Sequence, residues 1–239
     1  MSRIHRVAVA ELGDVVTVTG TEAAHLERVL RVRPGQRVRA FDGTGLEAEG
    51  VISAISPGRV TLELEPARAA ANEARLAVTV CTALLKGDKL ADVIRMCTEL
   101  GAVAFRPFIS RHCDVRELSE RKLQRLQRIS AEAAKQSGRA VIPPVQAAVS
   151  FSALAGQLDS EGGTVVYADP RARTVLAEAV AGSEREVQVL TGPEGGFSED
   201  ELEQLAVAGA QGVRLGARIL RAETAPVALT AALLLPEAL

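Results

Sequence analysis

From residue 76 onward, apolar runs of strand length alternate with segments of helical period. That alternation points to an α/β sheet with helices on both faces. LAVTVCTALL (76–85) is apolar almost throughout, as expected of a strand buried in a parallel sheet. The spacing predicts a helix from Asp88 to Leu100, with Gly101 just past its end. VAFRPFIS (103–110) reads as the next strand. Ser119 is placed to cap a long helix to Ser137, which Gly138 stops. TVVYADP (164–170), a helix to about Val180, and VQVLTGPEGG (187–196) continue the pattern. Ser198 and Glu201 form an S-x-x-E capping box opening a helix from Glu199 to Ala208. VRLG (213–216) and a helix from Thr224 to Leu235 finish the chain.

The first sixty-odd residues read differently. VVTVT (15–19), RVRAFDG (37–43), LEAEGVISAI (46–55) and RVTLELE (59–65) are β-branched, with turn signals DGTG and SPG between them. One helix, about Thr21 to Val32, interrupts them, with Ala23, Leu26, Val29 and Leu30 on one face. Short strands with a single helix suggest a small β-barrel. PARAAANEA (66–74) has no hydrophobic period and reads as a linker, which places the domains at 1–68 and 75–239.

The chain has 239 residues, 47% of them hydrophobic, enough for a real core, but only 3% are aromatic and none is Trp. Leu, Val, Ile and Ala must therefore fill that core. Cys81, Cys97 and Cys113 lie far apart with no CxxC pair, so neither a disulfide framework nor a zinc site is expected and a reducing cytoplasm fits. The N-terminus lacks a secretory apolar core, and the longest apolar run, broken by Pro226, is too short to span a bilayer. The net charge of -2 hides an asymmetry. Residues 106–139 carry nine basic and four acidic side chains, whereas 140–239 carry six and thirteen. A basic segment can bind phosphates locally; a solvated helix face fits the spacing as well.

Three stretches carry chemistry. In VQVLTGPEGGFSEDEL (187–202) a buried strand ends in a loop with Gly192, Gly195 and Gly196, followed by a capped helix. Ligands of α/β sheets bind at the carboxyl ends of strands, and glycines let bare main chain approach them. In VRLGARILRAETAPVAL (213–229) a polar trio, Arg221, Glu223 and Thr224, precedes an Ala-rich helix in whose first turn Pro226 is tolerated; helix capping by Thr224 is the plainer reading. In ISAEAAKQSGR (129–139), Glu132, Gln136 and Arg139 fall at i, i+4 and i+7, one face of a helix. His25, Arg28 and Arg31 share the helix of the small domain, a candidate RNA grip. His5 and His112 have no evident partners. There is no GxGxxG after the first strand and no GxxxxGK[ST], which removes dehydrogenase and P-loop readings.

In order along the chain, HLERVLR (25–31), KGDK (86–89), TELG (98–101), SRHC (110–113), EAAKQSGR (132–139), LTGPEGGFSEDEL (190–202) and LGARILRAETA (215–225) resemble the 16S rRNA uracil-N3 methyltransferases of the SPOUT superfamily. The resemblance spans nearly the whole chain, and the GPEGG and LRAETA pair is its most specific part. One departure is Arg95-Met96 where the family often has Gln-Lys.

The resemblance implies a PUA-like barrel followed by a SPOUT α/β domain with a C-terminal trefoil knot, and a homodimer with its active site at the subunit interface. It implies S-adenosyl-L-methionine as cofactor, no metal, and 16S rRNA of the small ribosomal subunit as partner. The cofactor pocket would comprise Leu190, Thr191, Gly192, Glu194 and Gly195, facing Leu215, Gly216, Leu220, Arg221, Glu223, Thr224 and Ala225, with Tyr167 and Ala168 as a third wall. RNA contacts are expected from Arg6, His25, Arg28, Arg31, Lys86, Arg111, Gln136 and Arg139. Uracil N3 must lose a proton, so the mechanism calls for a desolvated carboxylate of raised pKa, Glu223 before Glu194, with Arg221 or Arg139 stabilising the charge on O2 and O4. Ribose 2′-O methylation on the same scaffold and non-catalytic RNA binding are the competing readings.

Overall fold

The computed structural model describes residues 4–161, 163–182 and 185–236. It divides into two compact units: the chain up to Glu73 together with Ala134–Ile142, and Ala74–Ala133 together with Pro143 onward.

The first unit is built on strands β1 (His5–Ala8), β2 (Val15–Thr19), β3 (Arg37–Phe41), β4 (Leu46–Ser56), β5 (Arg59–Leu64) and the two-residue β6 (Arg68–Ala69). The sheet order is β1-β3-β4-β5-β2, with β6 on β4. β1 pairs parallel with β3 and the other contacts are antiparallel. Val7, Val38, Ile52, Val60 and Leu62 close its core, and Phe41 of β3 is fully buried as well. The sequence predicted a plain linker at 66–74, but β6 lies there. So does Glu73, whose carboxylate accepts hydrogen bonds from Arg139 and from the amides of Ala140 and Val141.

The first helix differs from its expected form. Helix α1 (Gly20–Ala24) passes into a π-helical turn, His25–Val29, in which Leu30 N–H donates to His25 O. The wider turn rotates the residues that follow it. Ala23 and Leu26 stay buried on the predicted face, whereas Val29 is 65% exposed. Arg31, two residues past the turn, adopts φ 49°.

The second unit is a parallel sheet in the order β12-β10-β11-β7-β8-β9. Its strands are β7 (Ala77–Ala83), β8 (Ala104–Ile109), β9 (Val149–Ser150), β10 (Thr164–Ala168), β11 (Glu186–Thr191) and β12 (Gln211–Val213). Between them run α2 (Lys89–Leu100), α3 (Glu120–Ser137), α4 (Phe151–Glu161), α5 (Leu176–Ala179), α6 (Glu199–Val207) and α7 (Thr224–Leu234). Helices α2 and α7 pack together, with α7 over β7 and β11; α4 packs on α6 and on β8. Five of the six residues of β11 are buried, as strands covered on both faces must be.

Local signals set the helix ends. Gly101, at φ 116°, ends α2 through amide bonds to Cys97 O and Thr98 O. Ser198 accepts from the Glu201 amide while Glu201 accepts from the Ser198 amide, the predicted capping box. The helix expected to reach Val180 is only α5, and α4 and β1 had no sequence expectation. Thr224 does not cap α7: the cap position is Glu223, with no side-chain cap bond. The three cysteines are free and buried, and burial pushes the Cys97 thiol up to about 12. Among the described residues no helix is long and apolar enough to cross a membrane, and no group of His, Cys, Asp and Glu could hold a metal ion.

Candidate functional site

Three adjacent parallel strands, β12, β10 and β11, end at Val213, Ala168 and Thr191. A cleft of about 1130 Å³ opens over these carboxyl ends. One wall is the loop Gly192–Phe197 after β11, the second is Arg214–Glu223 after β12, and the third is Asp169–Arg171 after β10. The site therefore follows from topology, because the three loops belong to neighbouring strands.

The Gly192–Phe197 loop is held from below and from the side. The Gly196 amide donates to Pro193 O at 2.9 Å, closing a turn whose last residue, Gly196, needs φ 72°. Phe197 anchors its end: the ring stacks on Phe108, with centroids 6.3 Å apart, and meets Phe151 and Tyr167 edge-on or tilted. Three of the chain's five phenylalanines thus sit beneath the glycine loop. On the side, His112 Nδ1 lies 3.1 Å from Gly196 O, and a Cβ at Gly195 would fall 2.9 Å from the His112 Cβ. Glu201, 5% exposed, fastens that neighbouring loop by accepting from the Ser110 hydroxyl and the Arg111 amide. His112 thus has a partner, the glycine loop itself, which sequence spacing could not show.

The charged groups meet at the mouth. Lys89 Nζ lies 2.8 Å from Glu194 Oε1 and 3.4 Å from Glu223 Oε2, and Arg221 Nη1 lies 3.9 Å from Glu223 Oε1. Burial pushes the Glu194 carboxyl up, but the Lys89 hydrogen bond and charge outweigh it, and its pKa is lowered. The raised pKa expected of a proton-accepting carboxylate is therefore not found at Glu194. Glu223 Oε2 is buried without a hydrogen-bond partner, since Lys89 stands at ion-pair distance only; Thr191 Oγ1 is likewise buried and unpartnered. Both atoms belong to residues lining the cleft.

Of the predicted pocket, Ala168, Thr191, Gly192, Glu194, Gly195, Leu215, Gly216, Leu220, Arg221, Glu223 and Ala225 line the cleft. Leu190, Tyr167 and Thr224 do not. Leu190 is fully buried in β11. The Tyr167 ring supports Phe197 instead. The sequence reading missed Lys89, Asp169, Phe197 and Arg218, which also line it. Lys89 had a legible signal, a cation in the first turn of a helix, where the dipole disfavours it.

The predicted RNA contacts differ in exposure and pairing. Arg28 and Arg31 are exposed, as is Gln136. Lys86 and Arg111 are also exposed but paired, with Asp114 at 2.8 Å and Asp200 at 3.0 Å. His25 is half-buried in the π-helical turn. Arg6 and Arg139 are corrections. Arg6 donates to Arg139 O, pairs with Glu47 and lies over the Phe41 ring. Arg139 lies past the end of α3 and is 3% exposed, its guanidinium forked onto Glu73. It therefore shares no helix face with Gln136, and it is not among the residues lining the cleft. A second cavity, about 430 Å³, lies at the amino ends of β7, β8 and β11 and holds none of the predicted site residues; its Arg106 is bound to Gln188 and Gln157.

Comparison with known proteins agrees with this geometry. An RNA methyltransferase domain model matches residues 72–234, and an RNA methyltransferase PUA domain model matches 18–65. The ribosomal RNA small subunit methyltransferase E of Synechocystis sp. is 35% identical over 214 residues, 88% of this chain and 70% of the relative. The protein of the same name from Bacillus subtilis is 31% identical over 91% of this chain and 88% of its own. The crystal structure of the Neisseria gonorrhoeae protein of that name, bound to S-adenosyl methionine, superposes with a TM-score of 0.85 at 32% identity and 96% coverage of each chain. With its α/β methyltransferase fold and PUA-like domain, the chain belongs to the RNA methyltransferase family, among the ribosomal RNA small subunit methyltransferase E proteins.

Proposed function

We propose that the protein transfers a methyl group from S-adenosyl-L-methionine to N3 of a uridine in 16S rRNA of the small ribosomal subunit, in the cytoplasm. The observation that carries this reading is the cleft over β10, β11 and β12, walled by the GPEGG and LRAETA loops. Its features fit the cofactor. The glycine loop presents bare main chain, and the buried Thr191 Oγ1 has no hydrogen-bond partner within the protein. Gly195 leaves no room for a side chain against His112.

Bound there, the cofactor supplies an electrophilic methyl on a sulfonium, which needs no metal. The protein's own residues do the rest. Glu223, with its unpartnered oxygen, accepts the N3 proton, whereas the Glu194 carboxylate is engaged by Lys89. Arg221, 84% exposed, is free to swing toward the negative charge that develops on the uracil oxygens. The rigid loops align donor and acceptor, which contributes a large share of the acceleration.

We further propose a PUA-like RNA-gripping domain at 1–68 and a SPOUT domain at 75–239 whose C-terminal segment threads a trefoil knot. A homodimer completes the site. Ile219, in the cleft wall, is 82% exposed, and Leu235, at the end of the apolar α7, is 52% exposed, which suits a covering subunit.

The test is Glu223→Gln. Mass spectrometry of digested RNA should show 3-methyluridine formed at least about a hundredfold more slowly, within the usual reach of general-base catalysis, with donor affinity nearly unchanged. Unchanged turnover refutes the base assignment, and a ribose-methylated product refutes the target atom.

A further inference from the structure

Lys89, the first residue of α2, touches two of the three loops that wall the cleft, through Glu194 and Glu223. Among the described residues no other side chain ion-pairs with both. Its position is electrostatically unusual. The start of a helix carries partial positive charge and disfavours a cation. The nearby carboxylates are engaged elsewhere: Asp88 makes no cap bond and pairs with Arg125 at 2.6 Å, Asp92 in the first turn pairs with Arg95 at 3.1 Å, and Asp114 pairs with Lys86 at 2.8 Å. The two carboxylates therefore hold the ammonium in place, chiefly the Glu194 hydrogen bond, which also raises the Lys89 pKa.

We propose that Lys89 is a positioning residue for methyl transfer, its ammonium tying the GPEGG loop to the LRAETA loop and holding Glu223 toward the cleft. The inference rests on the cleft being the methyl-donor site. The unequal distances explain the division of labour. Glu194 receives the hydrogen bond and serves as the anchor. Glu223, at 3.4 Å against 2.8 Å, is held more loosely, which leaves its carboxylate able to take the proton. Without Lys89, Glu194 loses its ion pair and Glu223 keeps only the longer contact to Arg221, at 3.9 Å.

The test has two arms. In donor-free protein, a double-mutant cycle of Lys89→Met and Glu194→Gln on urea unfolding should be non-additive, because the second substitution removes little once the first has broken the pair. Strict additivity overturns the inference. In the full reaction with S-adenosylmethionine and 16S rRNA, Lys89→Met should lower kcat by about tenfold or more while donor KM moves less than about threefold, and Lys89→Arg should recover most of kcat. A loss confined to KM, or an Arg variant no better than Met, overturns it. If the wild-type protein binds no donor, the functional reading fails; if donor binding stands and the coupling vanishes, only the role of Lys89 fails.

Discussion

Replacing Glu201 with Ala removes a carboxylate that accepts four hydrogen bonds: from the Ser198 amide at 2.9 Å, the Ser198 hydroxyl at 3.2 Å, the Ser110 hydroxyl at 3.1 Å and the Arg111 amide at 2.9 Å. The two hydroxyls can turn to other acceptors, but the two amides cannot. The Ser198 amide is buried and keeps no acceptor, whereas the Arg111 amide is part-buried and recovers some hydration. At about 1–3 kcal/mol for each stranded donor, the loss comes to about 3 kcal/mol. For a chain of this size that lowers the melting temperature by roughly 6–12 °C. Glu201→Gln keeps one carbonyl acceptor and should fall between. The assay is thermal unfolding followed by circular dichroism. A drop of less than about 3 °C would show that water replaces these bonds at little cost and that Glu201 is not the clamp between the SRHC loop and α6.

Other expectations follow from the same geometry. Gly195→Val places a Cβ 2.9 Å from the His112 Cβ, so the loops must part; donor affinity by calorimetry should fall at least about tenfold, and full affinity would refute the pocket. Because the Glu194 pKa is lowered in the folded protein, its ion pair contributes stability that is fully present above the ordinary carboxylate value of 4.5 and is lost as pH falls through the folded value. Glu194→Gln should therefore flatten the acid side of the stability profile, and an unaltered acid limb counts against the pair. Arg31→Ala should reduce the salt dependence of RNA binding by about one unit of slope. Arg31→Gly, which suits φ 49°, controls for folding, and an unchanged slope removes Arg31 from the interface.

What could be read from the sequence was whatever local chemistry dictates. The continuous apolar run of β7, the glycine stop after α2 and the Ser198–Glu201 box all act within a few residues, and each stands where the pattern placed it. Strand β1 escaped because HRVA is four residues long and acquires its order from parallel pairing with β3, more than thirty residues away. Val29 was misplaced because a 3.6-residue period does not describe a π-helical turn. Arg139 was misplaced for a related reason: Gly138, at φ 82°, breaks the helix before it, so the i, i+7 spacing from Glu132 has no helical meaning. Two of the loops that wall the cleft were legible because glycines and a polar trio at strand ends mark a site by residue type. Phe197 and His112 were not, because each joins the site through contacts between segments distant in sequence; Lys89 carried a signal, a cation at a helix start, but its partners in the cleft lie far along the chain.

The account stands most directly on whether the cleft over β10, β11 and β12 holds a methyl donor. Isothermal titration of the purified protein with S-adenosylmethionine tests it. Saturable binding that Gly195→Val abolishes is the result expected. No heat of binding, with or without 16S rRNA, would contradict it.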